Sequence, residues 1–201
     1  MKKSVISKIS IISTVLCLSF SCERDGEIVV SPTGVPVDLG LSVKWASCNV
    51  GADSPKDYGD YFAWGEVIPK KRYSAANYSY KDSPNILPPH ADAATVNWGG
   101  AWRMPTDAEL TELCEQCTWT WISQNGVNGY KVTSKSNGNS IFLPVAGYRD
   151  DSSLGSAGNH GYYWSSSIFS FGAWGVGFGS GYVYRNNYYR AYGHSVRPVC
   201  P

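Results

Sequence analysis

The chain has 201 residues, of which 16% are charged and 14% aromatic, with eight Trp, fourteen Tyr and a formal net charge of +1. So few charges among so many rings exclude a disordered chain, and the near-neutral balance gives no electrostatic ground for binding nucleic acid. Twenty-one Gly and eleven Pro break the apolar runs, which excludes a coiled coil or long helical bundle and leaves one loop-rich, β-dominated domain.

The first residues read as an address. Lys2, Lys3 and Lys8 lead into an apolar stretch from Ile9 to Leu18 that is too short to span a bilayer, and Ser21 stands directly before Cys22. This is the form of a lipoprotein export signal, so residues 1–21 are expected to be removed and Cys22 to carry the lipid. The remaining chain holds 14 basic and 16 acidic residues, a net charge of −2. Residues 22–36 read as a flexible tether. Glu23, Asp25 and Glu27 in it resemble the acidic export tag of surface lipoproteins in gut Bacteroidetes, so a cell-surface position at the outer membrane is expected.

The domain proper is expected over residues 37–201. Loose alternation from Val37 to Asn49 predicts a half-buried first strand, and Tyr58 to Glu66 a ring-rich second one. Lys70 to Pro89, broken by Pro84, Pro88 and Pro89, reads as a long surface excursion. Asp92 to Trp98 predicts a short helix. A second helix should start at Thr106, where Thr106-Asp107-Ala108-Glu109 has the form of a capping box, with Leu110, Leu113, Cys114 and Cys117 along its core stripe. Short strands then follow at Trp119 to Ser123, Tyr130 to Ser134 and Ser140 to Pro144, with turns at Asn125-Gly126, Asn128-Gly129 and Asn137-Gly138. Gly161 to Ser167, Ala173 to Phe178, Tyr182 to Tyr184 and Ser195 to Val199 complete the sheet, and Asn186-Asn187 is expected to turn the chain. The fold class is α+β, with two short helices followed by an irregular antiparallel sheet.

Four cysteines follow Cys22: Cys48, Cys114, Cys117 and Cys200. Two disulfides with three connectivities are open to them in an oxidising compartment. The Cys114–Cys117 spacing sits at a helix end, where a redox pair would need a helix start. His90, His160 and His194 are scattered without ligand spacing, so no metal and no cofactor are expected. Asp60, Glu66, Arg103 and Arg149 could form an acid and base cluster but read better as ion pairs bracing loops. Trp45, Trp64, Trp98 and Trp102 read as core, and the glycines from Gly172 to Gly181 form no phosphate cradle because no helix follows them.

Residues 160–199 hold seven Tyr, seven Gly and six Ser, and no Asp, Glu, Lys, Gln, Met, Leu or Thr. Tyr with Ser, Gly and Asn is the composition of a paratope, giving large contact area for few rotatable bonds. The candidate ligand-binding residues are Phe169, Phe171, Tyr182, Tyr184, Asn186, Asn187, Tyr188, Tyr189 and Tyr192. Alternation puts Tyr182 and Tyr184 on one face.

Five segments carry a family resemblance: Val37 to Ala52, Tyr58 to Glu66, Asn97 to Thr106, Tyr162 to Ser167 and Ser195 to Val199. In this order they resemble the Fibrobacter succinogenes major paralogous domain, from about Val37 to the C-terminus. The resemblance implies a fold similar to the C-type lectin-like and formylglycine-generating-enzyme-like domains, in a family abundant among Bacteroidetes lipoproteins and without an agreed activity. Some members resemble targets of diversity-generating retroelements, whose randomised AAC codons never yield Lys, Glu, Gln, Met or Trp; the first four are missing from 160–199, and the two Trp present there would belong to the fixed frame. The chain departs from calcium-dependent lectins in lacking their acidic and Trp-Asn-Asp motifs, and from the formylglycine-generating enzymes in having only Cys200 late in the domain. The expectation is a non-catalytic, lipid-anchored module binding an extracellular protein or glycan. A structural subunit of a surface fibre or envelope complex is the alternative, and an extracellular enzyme ranks behind both.

Overall fold

The two helices begin where side chains satisfy their free amides. In the computed structural model, which describes residues 34–201, α1 (Ala93–Trp98) is capped by Asp92, whose Oδ1 accepts from the Thr95 N–H at 2.9 Å. The same buried carboxylate reaches the Met104 N–H at 2.8 Å, tying the helix to the chain that follows. α2 (Asp107–Gln116) carries the expected capping box, with Thr106 Oγ1 accepting from the Glu109 N–H and Glu109 Oε2 from the Thr106 N–H. Arg103 grips the Glu109 carboxylate with both terminal nitrogens, at 2.8 and 2.5 Å. Leu110 and Leu113 are buried, Cys114 is half-buried, and Cys117 ends the helix. No described helix is long and apolar enough to cross a membrane.

The strands are all antiparallel within their sheets. β1 (Pro36–Val37) and β2 (Lys44–Ala46) pair with each other, and β11 (Val199–Cys200) pairs with the other edge of β2. The single strand expected over Val37 to Asn49 is thus two, because the Asp38 carboxylate accepts from the Gly40 N–H and Gly40 takes a φ of 65° to reverse the chain. Gly34 to Pro36, assigned above to the tether, belong to the domain: Gly34 packs against Trp98, and Val35 exchanges hydrogen bonds with Ser47. Residues 1–21, Cys22 and the rest of the tether lie outside the described residues.

A second sheet runs β3 (Cys117–Gln124), β4 (Val127–Ser134), β5 (Ser140–Pro144), with Asn125 and Gly126 both at positive φ in the turn. Asn128-Gly129 is not a turn but lies within β4. A side chain on Gly129 would meet the Leu143 carbonyl and the Phe142 ring, so glycine there answers a close approach of β5. β6 (Tyr148–Asp150) and β7 (Ser153–Gly155) form a small hairpin that the sequence did not suggest. The third sheet is the meander β8 (His160–Phe169), β9 (Gly172–Gly179), β10 (Tyr182–Tyr189), in the order β10-β9-β8.

Three expectations fail because pairing with another segment overrides the local pattern. Tyr58 to Glu66 is irregular chain, buried from Tyr61 to Trp64, with one bridge, Phe62 to His194, and not a strand. Of Ser195 to Val199 only Val199 enters a strand, while Ser195 bridges Tyr163. Asn186-Asn187 does not turn the chain; both residues stay in β10, opposite Gly175 and Trp174. The Lys70 to Pro89 excursion has no strand of its own but is pinned by buried Tyr73, Tyr78 and Leu87.

One apolar cluster, with Trp45, Leu110, Leu113, Tyr163, Val176 and Phe178, lies between α2 and the sheets; a second holds Phe62, Trp64, Trp98, Met104 and Trp164. Beside them sits Arg197, fully enclosed. Its Nε donates to Asn49 Oδ1 (2.9 Å), Nη1 to the carbonyls of Ala46 and Ser47 (3.0 and 3.1 Å), and Nη2 to that of Phe142 (2.9 Å). Burial pulls its pKa down, yet four acceptors hold the charge in place. Replacing Arg197 with Met should cost about 3 kcal/mol in urea denaturation, since it strands those acceptors in the interior. Lys, a compact donor without the fork, should recover only part of the loss. A Met variant as stable as the parent would show that the clamp contributes nothing.

Candidate functional site

In β9 the side chains alternate between two faces. Trp174, Val176 and Phe178 occupy one; Ala173, Gly175, Gly177 and Gly179 occupy the other. Register sets rings on both sides of this glycine column, with His160, Gly179 and Tyr182 in one row and Tyr162, Gly177 and Tyr184 in the next. The rings lean over the column. A Cβ on Gly179 would lie 2.7 Å from the Tyr182 hydroxyl and 2.8 Å from His160 Cδ2, and one on Gly177 would stand 3.0 Å from Tyr184 Cζ and strike the Tyr188 hydroxyl. Glycine is needed here because the rings occupy the space a side chain would fill. Tyr182 and Tyr184 lie 5.8 Å apart, centroid to centroid, with planes 31° apart; His160 is 6.1 Å from Tyr182 and 6.3 Å from Tyr162 at similar tilts.

Toward the other end of this face the cluster turns inward. His194 stacks on Trp164 at 4.1 Å and is flanked by Tyr188 at 4.9 Å and Tyr162 at 5.4 Å. Trp164 is fixed by its indole N–H donating to the Phe62 carbonyl at 2.7 Å. Burial drives the His194 imidazole down to about 3 and its Nδ1 has no hydrogen-bond partner. Burial raises Tyr162 to about 12 and moves Tyr188 upward as well, with Tyr184 adding to the latter effect.

The nine residues expected to bind ligand therefore divide. Tyr182 and Tyr184 are exposed on the glycine face, 44% and 38%, with exposed Asn186 beside them. Tyr188 shares that face but is turned into the Trp164 and His194 cluster, its hydroxyl enclosed and unpartnered, which corrects its assignment as an outward anchor. Tyr192 is half-buried between Tyr148 and Tyr189. Tyr189 is exposed at the end of β10. Phe169 and Asn187 belong to the opposite face of the sheet. There Phe169 packs on Trp174 at 4.4 Å, and Arg185, paired with Asp107 at 2.9 and 2.7 Å, covers the same indole. Phe171, 90% exposed, forms the tip of the β8–β9 hairpin. Sequence reasoning missed His160 and Tyr162; the Gly175, Gly177, Gly179 spacing opposite alternating tyrosines was the signal that could have found them.

Cys48, Cys114, Cys117 and Cys200 are all free thiols, so neither of the two possible disulfides forms. Burial raises each of their pKa values, Cys114 to about 11, which keeps them protonated and poorly nucleophilic. No group of three or more His, Cys, Asp or Glu among the described residues could hold a metal ion. The quartet of Asp60, Glu66, Arg103 and Arg149 is dispersed among separate partners: Glu66 pairs with Lys70 at 2.5 Å, Arg103 with Glu109, and Arg149 lies over the Tyr61 ring. A cleft of about 440 Å³ beside Glu66, Lys70, Ser79 and Tyr80 has its two charges satisfied by each other.

His194 should govern part of the acid sensitivity. Its folded pKa lies below the unfolded value of about 6.5, so the unfolded chain binds the proton first. Its contribution is complete above about pH 6.5 and is lost as pH falls from there toward 3, by up to about 1.4 kcal/mol per pH unit. In urea denaturation, His194→Phe should flatten the decline between about pH 6 and about pH 4. An unchanged slope would assign that decline to other groups.

A family model described as a domain of unknown function, DUF8237, matches residues 121–199, a stretch that runs from within β3 to the first residue of β11 and contains the whole β8–β10 sheet. No curated protein and no solved structure matches the chain.

Proposed function

We propose that this is a non-catalytic binding module that recognises an extracellular protein or glycan through the glycine face of the β8–β10 sheet. The observation that carries the reading is the exposed Tyr182–Tyr184 pair, immobilised over glycines on a sheet whose reverse side is core. Rigid rings on a rigid frame lose little entropy on binding, which is why paratopes use them. The binding face comprises Tyr182, Tyr184 and Asn186, with His160 and Tyr162 beside them; Phe169, Phe171 and Asn187 are left to the reverse face and hairpin tip.

The same proposal takes the domain to be a C-type lectin-like member of the Fibrobacter succinogenes major paralogous family. Support comes from the motifs that carry the resemblance, since Trp45, Trp64, Trp98 and Trp164 in them are all buried frame residues. It further takes Cys22 as the lipid anchor and the outer surface of the outer membrane as the location, on the form of residues 1–27. Four protonated thiols and the dispersed quartet favour binding over catalysis. A fibre subunit growing by strand addition would need the free edge of β10. In a hairpin closed by two residues, the odd-numbered positions of β10 direct their N–H groups to that edge, and Asn186 Oδ1 already takes the Asn187 N–H at 2.9 Å.

Joint replacement of Tyr182 and Tyr184 by Ala should leave folding intact, because both rings are surface residues, and should weaken attachment to intact cells by about 2 kcal/mol or more. Cell binding by the purified variant, measured beside its thermal midpoint, checks this. Undiminished binding by a folded variant would sink the proposal.

A further inference from the structure

The charge and flatness of the tyrosine face narrow what it can hold, and the step rests on the binding reading above. Residues 160–199 contain no acidic residue and no Lys, and their three Arg are all engaged. Arg185 is paired with Asp107. Arg190 donates to the Asp82 carbonyl and lies over Trp64 and Tyr78, and Arg197 is enclosed. Within residues 160–199 the face thus offers no unpaired Lys or Arg to a phosphate, sulfate or carboxylate and no carboxylate to a basic peptide. A nucleic-acid strand, which would stack on such rings, also needs its backbone charge met. A quaternary ammonium needs rings that wall a cavity, whereas Tyr182 and Tyr184 lie side by side with planes 31° apart. A protein anchor seeks a pocket, and the hollow above Gly177 and Gly179 is already filled by the rings themselves.

We infer that this face takes a neutral carbohydrate, stacked on Tyr182 and Tyr184 above the glycine column. A pyranose ring has a flat side of C–H bonds carrying partial positive charge, which matches the negative face of a phenol ring. Its hydroxyls stand around the rim, where the Tyr182 and Tyr184 hydroxyls can donate or accept and the exposed Asn186 amide, whose Nδ2 has no partner among the described residues, can donate. Two rings 5.8 Å apart along one strand give consecutive sugar units a surface each.

The test is a solution titration and array measurement of the purified chain against neutral and anionic oligosaccharides, with Tyr184→Phe and Tyr182→Ala as variants. Both positions are exposed, so both variants should fold. Expected are binding to neutral oligosaccharides that hardly changes between about 0.05 and about 0.5 M salt, a loss of about tenfold or more in Tyr182→Ala, and a smaller loss in Tyr184→Phe, which keeps the ring. Preference for anionic sugars, or affinity that collapses with salt, would overturn the inference. So would the absence of any sugar binding together with cell attachment that needs Tyr182 and is destroyed by protease treatment of the cells; that result would leave the binding module standing with a protein partner. Cell attachment indifferent to both tyrosines would overturn inference and module alike.

Discussion

One buried cation joins the parts of this domain that lie furthest apart in the chain. Arg197, three residues before the end of the last strand, binds the carbonyls of Ala46 at the end of β2 and Ser47 after it, the Asn49 side chain, and the Phe142 carbonyl in β5. The network continues outward from Asn49, whose Nδ2 donates to the Tyr58 carbonyl and to the Tyr163 hydroxyl, which itself donates to the Pro144 carbonyl. Its members are buried apart from half-buried Ser47 and Tyr58, and each is satisfied by the next, so the network stands or falls as a unit. Its furthest member, Tyr163, lies in β8 and stacks on Phe178 of β9 on the core face. The clamp on the chain ends therefore also sets the position of the sheet that carries the tyrosines.

That sheet does two jobs, one per face. Its core face is made of Tyr163, Val176 and Phe178, which bury apolar surface against α2 and the β3–β5 sheet. Its other face is a gradient, fully packed where Trp164, His194 and Tyr188 meet and open where Tyr182 and Tyr184 lie. The glycines of β9 make the gradient possible. A strand with side chains at 175, 177 and 179 would push the flanking rings apart and upright, where they would be mobile and present edges in place of faces. The stability that glycine forfeits in a strand is offset by the apolar contact of rings closing over it.

Much of the frame was legible because it is local. A capping box needs only four residues, a positive-φ turn only an Asn-Gly pair, and α2, its Leu110 and Leu113 stripe and the β3–β4 hairpin follow. The face shared by Tyr182 and Tyr184 is likewise a consequence of period two. What could not be read depends on partners that the local pattern does not name. The segment Tyr58 to Glu66 is as rich in rings as a strand would be, but its single bridge is to His194. Tyr188 has the same period as Tyr184, but Trp164 and His194 pack against it while Tyr184 stays exposed. Asn128-Gly129 and Asn125-Gly126 are the same dipeptide; the Leu143 carbonyl approaching Gly129 decides which of them turns.

The same division by face determines which positions are free to change. Tyr182, Tyr184 and Asn186 lie over glycine with one side in solvent, so substituting them leaves no interior polar group stranded. Tyr188, Trp164 and His194 are pressed together around unpartnered polar atoms, where even a modest change of shape opens a cavity. Gly175, Gly177 and Gly179 cannot accept a side chain without displacing a ring or the backbone of β8. A surface whose content can vary while its support cannot is what a recognition module requires, since specificity can then be altered without cost to the fold. The composition of residues 160–199, poor in ordinary solvating residues and rich in Tyr, Ser, Gly and Asn, follows from placing both kinds of position on the same three strands.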